Sequence, residues 1–141
     1  MAKFGTHSKK ERATLHVDLQ AVFDAAIERT DFTILQGNRN KVDQEAAFEA
    51  GHSRLRWPGS KHNQSEGDFD KSDAGDIMPY PIEWPDKRND HPLEYIRKMM
   101  RIFELQRIIF EEAERLGVQL KWGGMFQSLF DAPHVERIPN G

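Results

Sequence analysis

The chain has 141 residues, of which 38% are hydrophobic and 30% charged, with a formal net charge of -3. That length suits one domain around a single core, and the composition is globular rather than disordered. The small negative charge excludes a general pull toward nucleic acid or anionic lipid, and the lack of cysteine excludes disulfides, thiolate zinc sites and cysteine nucleophiles. Any metal site must rely on histidine and carboxylate, a donor set that suits a catalytic zinc better than a structural one. Residues 1–12 are polar and basic with no apolar run, so no signal peptide is expected, and no stretch approaches the ~20 apolar residues of a membrane span. The expected location is the cytoplasm, without stable membrane insertion, unless something else releases the protein. Lys9, Lys10, Arg12 and the Lys87-Arg88 pair read as solvated surface, and no nucleic-acid partner is expected.

The first periodic stretch runs from about Glu11 to Thr30, with Leu15, Leu19, Val22, Phe23, Ala26 and Ile27 in helical steps of three and four. Phe32 to Leu35 is β-prone and predicts a buried strand ending at Gly37. A second helix is expected over Lys41 to Ala50, with Gly51 as its C-terminal stop. His52 to Lys71 is irregular and long for a loop in a compact domain. Ala74 to Met78 predicts a short strand, stopped by Pro79 and Pro81. The longest helix starts near Asp90 to Pro92 and ends at Gly117, with Leu93, Ile96, Met100, Phe103, Ile109, Ala113 and Leu116 as most of its buried face. Val118 to Trp122 and Val135 to Ile138 complete the predicted strands. Helices and strands mix without regular alternation, so the expected class is α+β.

Near the C-terminus stand Trp122-Gly123-Gly124 and Phe130-Asp131-Ala132-Pro133-His134-Val135-Glu136. An acid and a histidine three residues apart can set a general base beside a metal ligand. Pro133 makes this a turn entering a strand rather than a helical His-Glu-x-x-His site. Upstream, Ser60-Lys61-His62-Asn63 and Ser72-Asp73-Ala74-Gly75-Asp76 add an imidazole and a carboxylate. Two imidazoles and one carboxylate leave a fourth zinc position open for water, whose pKa the metal would bring toward ~7. Asp131 would take that water's proton and pass it to a leaving amine, which is amide hydrolysis.

The ordered set Ser-x-His, Ala-x-Asp, Trp-Gly-Gly and acid-x-x-His resembles the VanY-type D-alanyl-D-alanine peptidase family, and within it the phage L-alanyl-D-glutamate endopeptidase branch of endolysins. Thr33 to Arg39 with Gln44 looks like the family's Gly-x-Arg…Gln segment. Pro79-Tyr80-Pro81-Ile82-x-Trp84 and Asp131-x-Pro133-His134-x-Glu136 look like branch signatures. The resemblance runs from about Ser8 to Ile138. It implies a small α+β fold in which an antiparallel sheet carries a zinc site and helices pack against it. It implies His62, Asp76 and His134 as zinc ligands and Asp131 as the catalytic acid/base. Arg39 would hold a substrate carbonyl or carboxylate and stabilise the developing oxyanion, while Gln44 and Ser60 would contact the peptide or orient His62. The implied partner is the stem peptide of peptidoglycan. The expected organisation is one zinc peptidase domain over residues 1–141, without a separate wall-binding domain and monomeric. A D-alanyl-D-alanine carboxypeptidase and a wall-binding module without turnover are the alternatives.

Three features depart from the pattern. Asp76 follows His62 by fourteen residues (76 − 62), about twice the usual spacing, so residues 64–71 look like an insertion. Gly75 replaces a larger apolar residue and is expected to loosen its strand, and Arg39-Asn40 stands where an arginine–threonine pair is usual. Plainer readings stand beside the functional ones. His62 suits a solvated loop, Asp76 a turn before Pro79, Asp131 a turn cap before Pro133 and Arg39 a surface ion pair. His7, His16, His52 and His91 read as structural or surface. Trp57, Phe69 and Trp84 border the site loops, with core packing and substrate contact both open.

Overall fold

The computed structural model describes residues 2–125 and 131–139. Where one helix is expected over 11–30, the chain forms two, α1 (Thr6–Arg12) and α2 (Val17–Ile27). The break lies at Leu15 and His16. Leu15 forms an isolated parallel bridge with Ser72, with His16 N donating to Ser72 O and Ser72 N to Thr14 O. His16 then caps α2 by accepting from Asp18 N. A tertiary contact therefore overrides a continuous apolar period.

Strand β1 (Phe32–Gln36) and helix α3 (Lys41–Glu49) follow as expected, and Gly51 takes a φ of 78°, which suits a glycine just past a helix end. Asn40 caps α3, its side chain accepting from Asp43 N at 2.8 Å, so its departure from the family pattern serves the helix. Strand β2 (Ala74–Pro79), helix α4 (Pro92–Leu116), β3 (Leu120–Trp122), a single 3-10 turn (Gly123–Met125) and β4 (His134–Arg137) complete the order. Phe130 lies outside the described residues. The four strands form one antiparallel sheet in the order β1-β2-β4-β3.

The main core joins α2 and α4 to one face of this sheet. Leu19, Phe23 and Ala26 meet Ile34, Ile77 and Val135 from the strands and Leu105, Ile109 and Ala113 from α4. Gly75 belongs to this packing rather than loosening it. A Cβ there would lie 3.2 Å from the Phe23 ring and 3.4 Å from Leu15, so the missing side chain makes room for the aromatic.

The expected buried face of α4 needs correction. Ile109 and Ala113 are buried, but Leu93, Ile96, Met100, Phe103 and Leu116 are exposed, Leu93 at 70%. The packed face is Ile102, Leu105, Gln106, Ile108, Ile109 and Ala113, and no residue before Ile102 is buried. Both stripes advance by three and four residues, so periodicity alone does not say which one meets the core. The early turns are held by other means: His91 caps the helix, Pro92 opens it, and Lys98 pairs with Asp90 at 2.9 Å.

The insertion is tied to the sheet. Arg137, 4% exposed, places Nε 3.1 Å from Asp73 Oδ1 and Nη2 2.6 Å from Glu66 Oε1, while Ser65 Oγ donates to Asp73 at 2.7 Å. The Trp57 and Phe69 rings meet at 5.3 Å, so these two aromatics pack against each other. Removing one partner of a buried ion pair leaves the other charge uncompensated. Arg137→Leu is therefore expected to lower stability by about 3 kcal/mol, checked by urea unfolding with an unchanged denaturant slope.

Candidate metal centre and active site

Sheet register places the first two site residues. Asp76 on β2 pairs directly with His134 on β4, and Gln36 on β1 sits across from Asp76 on the other side. The β1–β2 register shifts between Ile34 and Gln36, so Leu35 and Gln36 together oppose Asp76. Side chains alternate along a strand, so Asp76 and His134 face away from Ile77 and Val135, which fill the core.

His62 arrives from the irregular loop and is 2% exposed. Its Nδ1 lies 2.8 Å from Gly37 O. A carbonyl only accepts, so Nδ1 carries a hydrogen and Nε2 is the ring atom left facing the site. Gly37 itself is packed against the chain around the end of α1, since a Cβ there would lie 2.2 Å from Thr14 Oγ1 and 2.6 Å from Glu11 O. Ser60 Oγ accepts from His62 N at 3.2 Å, and Arg39 N donates to His62 O at 2.7 Å.

Three atoms then converge. His62 Nε2 is 3.3 Å from His134 Nδ1, and each is 3.4 Å from Asp76 Oδ1. Donors about 2.0–2.1 Å from a tetrahedral zinc lie roughly 3.3–3.4 Å from one another, so the triangle has the size that such an ion requires. Asp76 Oδ1 is buried yet takes no hydrogen bond. An orphaned carboxylate oxygen between two imidazole nitrogens suits a shared cation better than a hydrogen-bonded cluster. His62, Asp76 and His134 are also the one group among the described residues whose side chains could hold a metal.

The surroundings orient these groups. His134 Nε2 lies 2.9 Å from Glu136 Oε1, a carboxylate that fixes the ring and leaves Nδ1 toward the triangle. Burial disfavours an imidazolium at His134, but the Asp76 and Glu136 carboxylates outweigh it and push its pKa up to about 9. Burial likewise opposes charge on Asp76, yet the two imidazoles hold its carboxyl far below the usual range. Asp131 Oδ2 stands 3.9 Å from His134 Nδ1. Burial and the Asp76 charge raise its carboxyl above the ordinary value, the direction expected of a carboxylate that both takes and returns a proton. Its backbone is seated by Gly123, since Asp131 N donates to Gly123 O at 3.0 Å and a Cβ on Gly123 would lie 2.1 Å from Asp131 O. The backbone that Gly123 admits so closely is the chain's own.

Arg39 lines the same groove. Its Nε and Nη2 donate to Gln36 Oε1 at 3.0 and 2.7 Å, and Nη1 donates to Gln44 Oε1 at 3.0 Å. Both acceptors are neutral, so the guanidinium is positioned without losing its charge to a carboxylate. Gln44 is 0% exposed, and its amide nitrogen holds Ser53 Oγ and Leu55 O. It therefore supports Arg39 and the 53–55 segment. Ser60 borders the groove while orienting His62. Trp84, 55% exposed, and His52 also line the groove. His16 and His91 cap helices, and His7 Nε2 lies 2.9 Å from Leu35 O.

The model for the family described as phage L-alanyl-D-glutamate peptidase matches residues 1–138. The chain belongs to this family of peptidases. An L-alanyl-D-glutamate peptidase of Escherichia phage T5 is 30% identical, the match covering 96% of this chain and 98% of that protein. The crystal structure of the Serratia marcescens L-Ala D-Glu endopeptidase ChiX superimposes with a TM-score of 0.68 at 20% identity, over 96% of this chain and 90% of that one. At that identity the likeness speaks for the fold. The phage relative carries the family assignment along nearly the whole chain.

Gln36, Asn63 and Glu136 take supporting roles that their place in the motifs does not specify. Asn63 is fully buried, donating to Arg39 O and Gln44 Oε1 at 3.0 Å and accepting from Ser60 N at 3.0 Å. Glu136 stands in the Asp131-x-Pro133-His134-x-Glu136 signature, and its place two residues after His134 on a strand puts both on one face.

Two outcomes follow from these contacts. Without metal, charged His134 stabilises the fold fully below pH ~6.5, and that stability is lost as pH rises through about 9. Melting temperature in a chelator should therefore fall across that interval, whereas saturating zinc, which needs the neutral ring, should abolish that fall. Glu136→Ala should weaken zinc binding by about 10–100-fold, read by competition with a chromogenic chelator.

Proposed function

We propose that this chain is a zinc endopeptidase that cuts the bond between L-alanine and D-glutamate in peptidoglycan stem peptides. The observation that carries the metal part is the 3.3–3.4 Å triangle of His62 Nε2, His134 Nδ1 and Asp76 Oδ1, whose oxygen corner takes no hydrogen bond. What supports the bond choice is the family match and the activity named for the phage T5 relative.

His62, Asp76 and His134 would hold the ion, which supplies Lewis acidity and lowers the pKa of water toward ~7. Asp131, beside the ligands and raised by burial, accepts a proton as hydroxide character develops and returns it to the departing amine. Arg39 offers a fixed cation for the carbonyl oxygen as negative charge accumulates there. Its glutamine partners keep the guanidinium aimed before substrate arrives, so little reorganisation is needed in the transition state. Glu136 holds the His134 ring, and Ser60 and Gly37 hold His62.

The test is mass spectrometry of peptides released from purified peptidoglycan, with and without chelator. Fragments with new D-glutamate N-termini that vanish on chelation are the expected result. Released D-alanine would instead indicate a carboxypeptidase, and no release from several wall types would indicate a binding module. Asp131→Ala should keep its zinc and lose about 10²–10⁴-fold in rate, whereas His62→Ala should lose the metal, as measured by elemental analysis beside the peptide assay.

A further inference from the structure

The groove carries more positive charge than its proposed chemistry uses. Among the described residues, every arginine except Arg39, Arg54 and Arg88 lies within ion-pair distance of a carboxylate. Two of those three, Arg39 and Arg54, line the groove of the metal centre. The contrast is sharpest within one loop: Arg56 pairs with Glu45 at 2.8 Å, while Arg54, two residues earlier, is exposed and reaches no carboxylate. Lys61 lines the same groove.

The backbone under Arg54 is pinned on both sides. His52 N and Ser53 N donate to Ala47 O at the end of α3, at 2.9 and 3.2 Å. The buried Gln44 amide then grips Ser53 Oγ at 3.0 Å and Leu55 O at 2.6 Å, while its own oxygen takes Arg39 Nη1. One buried side chain thus sets the positions of the two unpaired groove arginines relative to each other. A cation on a fixed backbone, facing a groove and lacking an internal partner, suits an anion supplied by the substrate.

Glutamate has two carboxyl groups and a peptide chain continues through only one, so a D-glutamate after the scissile bond carries a second carboxyl beside the reacting centre. We propose that Arg54 is a specificity-determining residue that pairs with this free D-glutamate carboxylate, leaving Arg39 for the reacting carbonyl. The inference rests on the endopeptidase reading of the same groove. It makes the enzyme selective for stem peptides whose D-glutamate carboxyl is ionised over those in which it is amidated.

The test uses zinc-loaded protein and two soluble stem peptides that differ only in amidation of that carboxyl. Wild type is expected to show a KM about five- to tenfold higher on the amidated peptide, with kcat little changed. Arg54→Gln should show the same rise on the carboxylate peptide and no further loss on the amidated one. Arg54→Lys should recover part of the discrimination, and Arg88→Gln, outside the groove, should behave as wild type. Equal losses of Arg54→Gln on both peptides, or a wild type indifferent to amidation, would overturn the assignment. If wild type cleaves neither peptide, the endopeptidase reading itself falls, and this inference with it.

Discussion

Three donor atoms from three separate stretches of chain have to meet within 3.4 Å, and the antiparallel register of β2 and β4 is the constraint that makes this possible. Because Asp76 and His134 are cross-strand partners, the sheet's own hydrogen bonds fix their separation before any metal is considered. A one-residue slip of either strand would send its own site residue into the core and bring Ile77 or Val135 out. The apolar packing of those two residues against α2 and α4 therefore secures the site as much as the fold.

The third donor needs a different device, because His62 lies on irregular backbone. It is held by backbone and hydroxyl contacts to Gly37, Ser60 and Arg39, and the glycine at 37 in turn packs directly against Glu11 and Thr14. The same arch carries the cations. Gln36 and Gln44 share Arg39, and Asn63 ties the arch to the histidine loop. Neutral amides are well suited here, since they orient a guanidinium while leaving its charge for a ligand. The surrounding surface follows the opposite rule, with nearly all other arginines neutralised by carboxylates.

Three carboxylates share the metal face, and their surroundings divide their roles. Asp76 lies between two imidazoles and is held ionised. Glu136 would be raised by burial, yet its contact with His134 outweighs this and lowers it. Asp131, partly buried and near the Asp76 charge, is raised. Groups of one chemical type thus become a candidate ligand, a ring-orienting partner and a candidate proton carrier by environment alone.

The sequence by itself determined the class and most elements, because hydrophobic period, helix stops and turn residues are local properties. It also carried the candidate site residues His62, Asp76, His134, Asp131 and Arg39, because their order and residue types survive an insertion that changes spacing. Tertiary structure alone decided which stripe of α4 is buried, why the first helix breaks at Leu15, and what Gly75 accommodates. Each of these depends on a partner distant in the chain: the sheet, Ser72 and Phe23. The same holds for the supporting part of Asn63, whose type is common everywhere. Only its burial, and the hydrogen bonds it is then obliged to make, mark it as a support of the site.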